Sequence, residues 1–456
     1  MGRTRDTDAA KTMARRRRRS VAALAIAATS AATALASGPS VEIDPGSSRD
    51  PLVETGRDSD HLTGDWGGAR SRLVGRGVHI SAGHIGETLS VVRGGRHGGT
   101  TYRGLLETGI DLDLGPLTGG IWPGAMFRAS SLWVHGDSLR ARVGDDLGLS
   151  NIEGHGTVRL YDLWIEQHAF ADRAALRVGQ QVVDGEIATS TYSTLFIHGD
   201  FGWPASIGAA VHNNGPAYPV GVLGARLKVD LSPAFTVRTA VFDGDSHDDP
   251  AGDPAVNQHG THFRLSGTQG LLAFGELDWH WQRRAGPEAH PGSLKAGIWR
   301  HTGAFADHQT VAPHDGNHGV YLVGEQLVWR ESGALESSPQ GLGVFARAGT
   351  SPGDRSRYDV VVDGGLNYHG MLPGRDDDTF GIGFVHAQAS GGLRRAQVLA
   401  GTAVLSDHET VVEIAYRAQL RPWWSLQPGV LIVLHPGSSA ATPDAVVLGL
   451  RSSLTF

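Results

Sequence analysis

From Val78 to the last residue the chain keeps a period of two. No apolar run beyond residue 36 approaches the ~20 residues that a membrane-crossing helix needs. The final eleven residues show the pattern most clearly. Val446, Leu448, Leu450, Ser452, Leu454 and Phe456 hold the even positions, and Val447, Gly449, Arg451, Ser453 and Thr455 the odd ones. Alternate side chains of a strand point to opposite faces. One face is therefore mostly apolar and ends in an aromatic ring, while the other is small or polar. Two architectures use such a strand: a soluble sandwich with its polar face in bulk water, and a barrel with its apolar face in lipid and its polar face toward a lumen.

The alternation recurs upstream. Leu106, Thr108, Ile110 and Leu112 alternate with Glu107, Gly109, Asp111 and Asp113. Tyr161, Leu163 and Ile165 alternate with Asp162, Trp164 and Glu166, and Leu223, Ala225 and Leu227 with Gly224, Arg226 and Lys228. Phe235, Val237 and Thr239 alternate with Thr236, Arg238 and Ala240, and Val412, Ile414 and Tyr416 with Glu413, Ala415 and Arg417. Turn clusters such as Gly115-Pro116, Pro352-Gly353-Asp354 and Pro436-Gly437-Ser438 separate the runs. The polar faces mix acids with arginines, sometimes beside Trp, which suits a water-filled lumen. At roughly 25 residues per strand with its share of loops, the length suits about 16 to 18 strands. The expected fold is all-β: a transmembrane antiparallel up-and-down β-barrel of about 16 strands.

The N-terminus reads differently. Arg15 to Arg19 form a basic block, and Val21 to Ala36 a short apolar run ending Ala34-Leu35-Ala36. These are the parts of a secretory signal, so 1–36 is expected to be removed on export, whether synthesis starts at Met1 or Met13. Residues 37–77 read as a polar leader and a short periplasmic helix. In that helix Asp65 is the candidate N-cap, Trp66, Ala69 and Leu73 share a face, and Gly75 or Gly77 ends it. Residues 78–456 form the barrel domain.

Loss of the eight basic and two acidic residues of 1–36 would take the net charge from −7 to −13. That balance, with Lys only at 11, 228 and 295, argues against a nucleic-acid partner. The chain has no Cys, which excludes thiol catalysis and thiolate metal sites. No H-E-x-x-H or P-loop pattern occurs. Asp376-Asp377-Asp378 lacks the ligand spacing of a calcium loop and reads as a solvated turn. None of these patterns points to a metal site, and residue counting alone leaves a Ser-His-Asp arrangement open.

Several segments, in chain order, resemble the carbohydrate-selective porin family (OprB type). His61-Leu62-Thr63-Gly64-Asp65-Trp66-Gly67-Gly68-Ala69-Arg70 is similar to its N-terminal signature, and Gly199-Asp200-Phe201-Gly202-Trp203-Pro204 to its F-G-W-P segment. Residues 365–378, with Pro373-Gly374-Arg375-Asp376-Asp377, look like its P-G-R-x-D turn. Residues 409–428, containing Pro422-Trp423-Trp424, resemble its penultimate-strand block, and His435-Pro436-Gly437 with the final strand follows in the family's order. The resemblance implies an outer-membrane barrel that passes monosaccharides such as glucose by facilitated diffusion, without catalysis or cofactor. Its partners would be sugars, outer-membrane lipid and the barrel-assembly machinery, with homo-oligomerisation left open. Phe456 is similar to the terminal aromatic of outer-membrane proteins generally, and so looks like the assembly signal.

A sugar channel needs acceptors and donors for hydroxyls, and rings for the C–H faces, without binding so tightly that exit stalls. The candidate lumen residues are Glu107, Asp111, Asp162, Trp164, Glu166, Arg226, Trp299, Arg347, Glu413 and Arg417. Trp299 shares a strand face with Lys295, Gly297 and His301, whereas Trp279, Trp281, Trp423 and Trp424 suit an interfacial girdle. The alternatives are a general or anion-preferring pore of the same architecture, and a secreted β-rich enzyme acting on glycans.

Overall fold

The computed structural model describes residues 61–249, 251–265, 267–282, 290–310, 312–331, 340–402 and 407–456. The expected signal and most of the leader lie outside these residues. The strands begin with β1 (Val78–Arg93), β2 (Gly99–Asp113), β3 (Ala125–Gly136) and β4 (Thr157–Ala169). Then come β5 (Ala174–Gln181), β6 (Val222–Ser232), β7 (Phe235–Asp243) and β8 (Leu271–Gln282). The second half holds β9 (Pro291–Phe305), β10 (His314–Arg330), β11 (Gly341–Thr350) and β12 (Tyr358–His369). It ends with β13 (Thr379–Ala389), β14 (His408–Arg421), β15 (Trp424–Leu434) and β16 (Ala445–Thr455). Each pairs antiparallel with its sequence neighbours, and β16 returns to β1, with Gly83 opposite Thr455 and Val91 opposite Val447. These sixteen strands of the described residues make a closed barrel, which leaves no edge unpaired.

Burial follows the period of two. Ile298, Leu322 and Leu448 are 62, 53 and 47 % exposed on the outer face, whereas their neighbours Trp299, Val323 and Val447 are 2 % exposed or less. β4 is one place where the alternation breaks. The register of β3 against β4 slips between Ala129↔Leu163 and Ser131↔Leu160, and both Tyr161 and Asp162 are buried. A bulge inserts one residue and so re-aims the side chain before it. Strict alternation would have put Tyr161 outward with Leu163; instead it packs inside with Leu105, Leu132 and Ile152.

The two ends of the barrel differ. Both described chain ends, residues 61–77 and Phe456, lie at one end, where β6 joins β7 through 233–234 and β14 joins β15 through 422–423. The other end carries the long connections 137–156, 182–221, 244–270 and 390–407, the last of which contains a helix, Gly391–Leu399. Short turns on one side and long loops on the other are the usual polarity of such barrels.

The N-terminal helix, α1 (Ala69–Val74), is shorter than expected, and its N-cap is Gly68 in the left-handed region. Asp65 instead accepts from Ser71 N at 2.7 Å and Ser71 Oγ at 2.8 Å, tying the turn before the helix to its first residues. This segment locks the barrel seam. Leu62 N donates to Thr455 O, Phe456 N donates to Ala82 O at 2.9 Å, and Arg70 Nη2 donates to Phe456 O at 2.9 Å. The Arg70 guanidinium also lies 4.4 Å over the Trp66 ring.

Candidate functional site

The interior is asymmetric, because two long loops fold into it. Loop 182–221 crosses to the far wall and is pinned there by inward polar side chains. Glu325 on β10 accepts from Ser190 Oγ and Thr191 N at 2.7 and 2.8 Å. Arg347 on β11 donates to the carbonyls of Asp200 and Ala188 at 2.7 and 3.1 Å. Glu413 on β14 accepts from Ile197 N and His198 N at 2.8 and 3.0 Å, and Gln427 on β15 donates to Leu195 O at 2.8 Å. The contacts of Arg347, Glu413 and Gln427 satisfy loop backbone groups that would otherwise be buried without a partner. Loop 137–156 lies alongside. Glu409 accepts from Asp146 N and Leu147 N, Arg451 donates to Asn151 Oδ1 at 2.7 Å, and Asn151 N donates to Ile197 O of the longer loop.

Glycines on the inner wall make room for this packing. A Cβ at Gly343 would lie 1.9 Å from the Tyr192 ring, and one at Gly383 2.7 Å from Phe201. The resulting core joins Leu195, Phe196 and Phe201 of the loop to Phe345, Val385, Val411, Leu431, Val433 and Val447 of the wall. Here the inner face is apolar, against the expectation of a polar lumen face throughout. It faces a loop rather than water, so burial rather than solvation selects its residues.

What the loops leave open is bounded by β2 to β8, and that wall is charged. Arg128 on β3 pairs with Asp111 at 2.8 Å, Glu107 at 3.0 Å and Asp162 at 3.3 Å. Arg177 on β5 pairs with Glu166 at 2.8 Å and with Glu186 of loop 182–221 at 2.9 Å. Arg226 on β6 pairs with the same two acids at 2.6 and 2.8 Å. Arg238 on β7 reaches Asp278 and Glu276 of β8 at 3.2 and 3.3 Å. Cross-strand register, with Asp111 opposite Arg128 and Arg177 opposite Arg226, stacks the guanidinium groups into a ladder around the wall. Arg177 also lies 4.1 Å over the Trp164 ring, a cation–π contact that fixes its plane. Burial alone would raise the Glu186 carboxyl. The charges of Arg226 and Arg177 outweigh it and hold Glu186 below the usual carboxylate range.

Exposure divides the residues singled out from sequence. Glu107 and Asp111 keep 19 and 14 % of their side-chain surface open. Asp162, Trp164, Glu166 and Arg226 stand on the same wall but beneath its surface, bracing the ladder. Trp299, Arg347 and Glu413 point inward and are covered by loop 182–221: Trp299 packs with Trp203 and Ile207, and the other two hold loop backbone. A solute in the lumen does not reach them while the loop is docked. Arg417 on β14 is partly exposed, and among the described residues its guanidinium has no hydrogen bond or ion pair. Three ladder residues, Arg128, Arg177 and Arg238, were not among those candidates. For Arg238 the signal was present, since it holds the polar parity of its strand. Phe456 stands at the seam described above.

A closed barrel of strands, apolar outside, narrowed within by its own loop and walled by fixed donors and acceptors, is a diffusion channel of an outer membrane. The model of the carbohydrate-selective porin, OprB family, matches residues 97–456, and the chain belongs to that family. It is 24 % identical over 435 residues to Porin B of Pseudomonas aeruginosa, an alignment covering 87 % of this chain and 91 % of that protein. It is 23 % identical over 427 residues to the putative porin QuiX of Acinetobacter baylyi, covering 88 and 94 %. The high-pH structure of Pseudomonas putida OprB superposes with a TM-score of 0.77 at 21 % identity, over 88 % of this chain and 99 % of that one. The protein is a carbohydrate porin of the outer membrane, and family and fold make it a channel rather than an enzyme.

Proposed function

We propose that this porin passes monosaccharides such as glucose into the periplasm, through the gap between loop 182–221 and the ladder wall. The carrying observation is that wall: guanidinium groups held by two or three carboxylates each, with enough surface open to exchange hydrogen bonds with a passing solute. Paired charges offer a sugar both donors and acceptors at fixed positions. The ladder's arginines are outnumbered by its carboxylates, so the wall is net acidic and disfavours anions, while an uncharged sugar is not repelled. Glu107, Asp111, Arg128, Arg177, Arg238 and the unpaired Arg417 are the contact residues in this reading. Asp162, Trp164, Glu166 and Arg226 hold them in place, and Trp299, Arg347 and Glu413 set the position of the loop. Export through the 1–36 signal in a Gram-negative cell, and insertion by the barrel-assembly machinery reading Phe456, complete the proposal.

Liposome swelling tests it. Proteoliposomes in isotonic hexose should swell several-fold faster than in disaccharide. Rates that fall on one curve against molecular size, for sugars and non-sugar solutes alike, would favour a general pore. Release of sugar from oligosaccharides by the purified protein would return the enzyme reading.

A further inference from the structure

Three histidines line up on the outer face of the barrel at its loop end, one strand apart. His386 is on β13, His408 opens β14, and His435 follows β15. The His408 and His435 rings are 4.5 Å apart, and His408 Nε2 is 3.0 Å from His435 Nδ1. The His386 ring is 5.1 Å from that of His408. All three are partly exposed, and none takes part in the lumen site.

The surroundings fix which nitrogens are free to bind. The Asp407 carboxylate accepts from His408 Nδ1 at 3.0 Å, so Nε2 of that ring carries the lone pair. A carboxylate behind an imidazole in this way is the usual outer support of a metal-binding histidine, orienting the ring and raising its basicity. His386 Nδ1 is engaged by Thr410 Oγ1 at 2.8 Å, which leaves its Nε2 as the available atom. Two imidazole nitrogens on a tetrahedral zinc at about 2.0–2.1 Å are separated by about 3.3 Å. The 3.0 Å between His408 and His435 is close to that, so an ion could replace the shared proton once the two rings turn to bring both lone pairs onto it.

We propose that His408 and His435, backed by Asp407 and completed by His386 after a side-chain rotation, bind a divalent transition-metal ion of the imidazole-preferring kind, such as Zn²⁺. The ion ties the start of β14 to the turn after β15. That turn is continuous with an anchor of loop 137–156: Gly437 N donates to Glu409, which in turn accepts from Asp146 N and Leu147 N. The site therefore stiffens the rim that holds a pore-narrowing loop.

Isothermal titration of the untagged full-length barrel in detergent with ZnCl₂ at pH 7.5 tests this. About one equivalent should bind saturably. His408→Gln and His435→Gln should each weaken binding at least tenfold. Asp307→Asn should leave it unchanged; that variant disables the other grouping of ligand atoms, Asp307, His314 and Asp354. No saturable binding, or binding lost in Asp307→Asn but kept in His408→Gln, overturns the proposal. Wild-type protein gives an answer that needs no variant. Zn²⁺ should protect His408 and His435 from diethylpyrocarbonate in mass-spectrometric maps, and protection at His314 alone would contradict the site.

Discussion

Arg177 is held by two carboxylates on one side and the Trp164 ring on the other. A cation–π contact of this kind contributes about 0.5–2 kcal/mol, so the ring's main effect is on where the guanidinium sits. Trp164→Ala should lower hexose swelling rates about two- to fivefold while leaving the heat-modifiable mobility of the folded barrel unchanged. Asp145, in loop 137–156, makes a second prediction. Burial first, then the nearby charges of Glu409 and Glu153, push its carboxyl up to about 8. A carboxyl whose pKa is raised on folding favours the docked state while protonated. That contribution is full below the unfolded value near 4 and is lost as pH rises toward 8. Loop docking should therefore loosen as pH rises from about 4 to 8 and change no further above that, seen as faster protease cleavage within 137–156, and Asp145→Asn should flatten the profile. Parity alone placed Glu107, Asp111 and Arg417 on the inner face. It carries no information on what lies over a residue, so Trp299 under its loop and Glu107 in the open lumen look alike in sequence.

Loop 182–221 is the element that narrows this barrel, and its path was not legible in its own sequence. It has no period, and its partners are strands more than a hundred residues away, such as Glu413 and Gln427. Two local signs did point to it. One is the Gly199–Pro204 motif, whose Phe201 enters the loop–wall core and whose Trp203 Nε1 donates to Asn214 O at 3.0 Å. The other is the run of glycines on β11 to β13, which break the strand pattern where Tyr192, Leu195 and Phe201 must fit. Gly343→Val would drive a branched side chain into the Tyr192 ring, and close-packed interiors do not absorb such volume. Displacement of the loop predicts higher single-channel conductance and weaker discrimination between mono- and disaccharides. Unchanged conductance in a folded Gly343→Val barrel would show that the loop does not set the bore.

At the scale of the whole molecule, the strand count follows from the chain length, and the closure of β16 on β1 from the period of two, because a membrane leaves no other way to satisfy strand edges. The bulge in β4 and the half-filled interior depend on tertiary packing and were not readable. Closure also rests on the last residue: Phe456 N–H meets Ala82 O, and its carbonyl receives Arg70. Deleting Phe456 should cut the yield of heat-modifiable barrel several-fold while leaving transport per folded barrel near wild type. Sugar that travels along the ladder wall should interrupt the ion current through a single barrel, as single-channel recording in planar bilayers would show. Glucose at millimolar to molar concentration should reduce the ion current in a saturable way, and Arg177→Ala should shift that block to several-fold higher glucose. An ion current that glucose leaves untouched, in wild type and variant alike, would contradict the account.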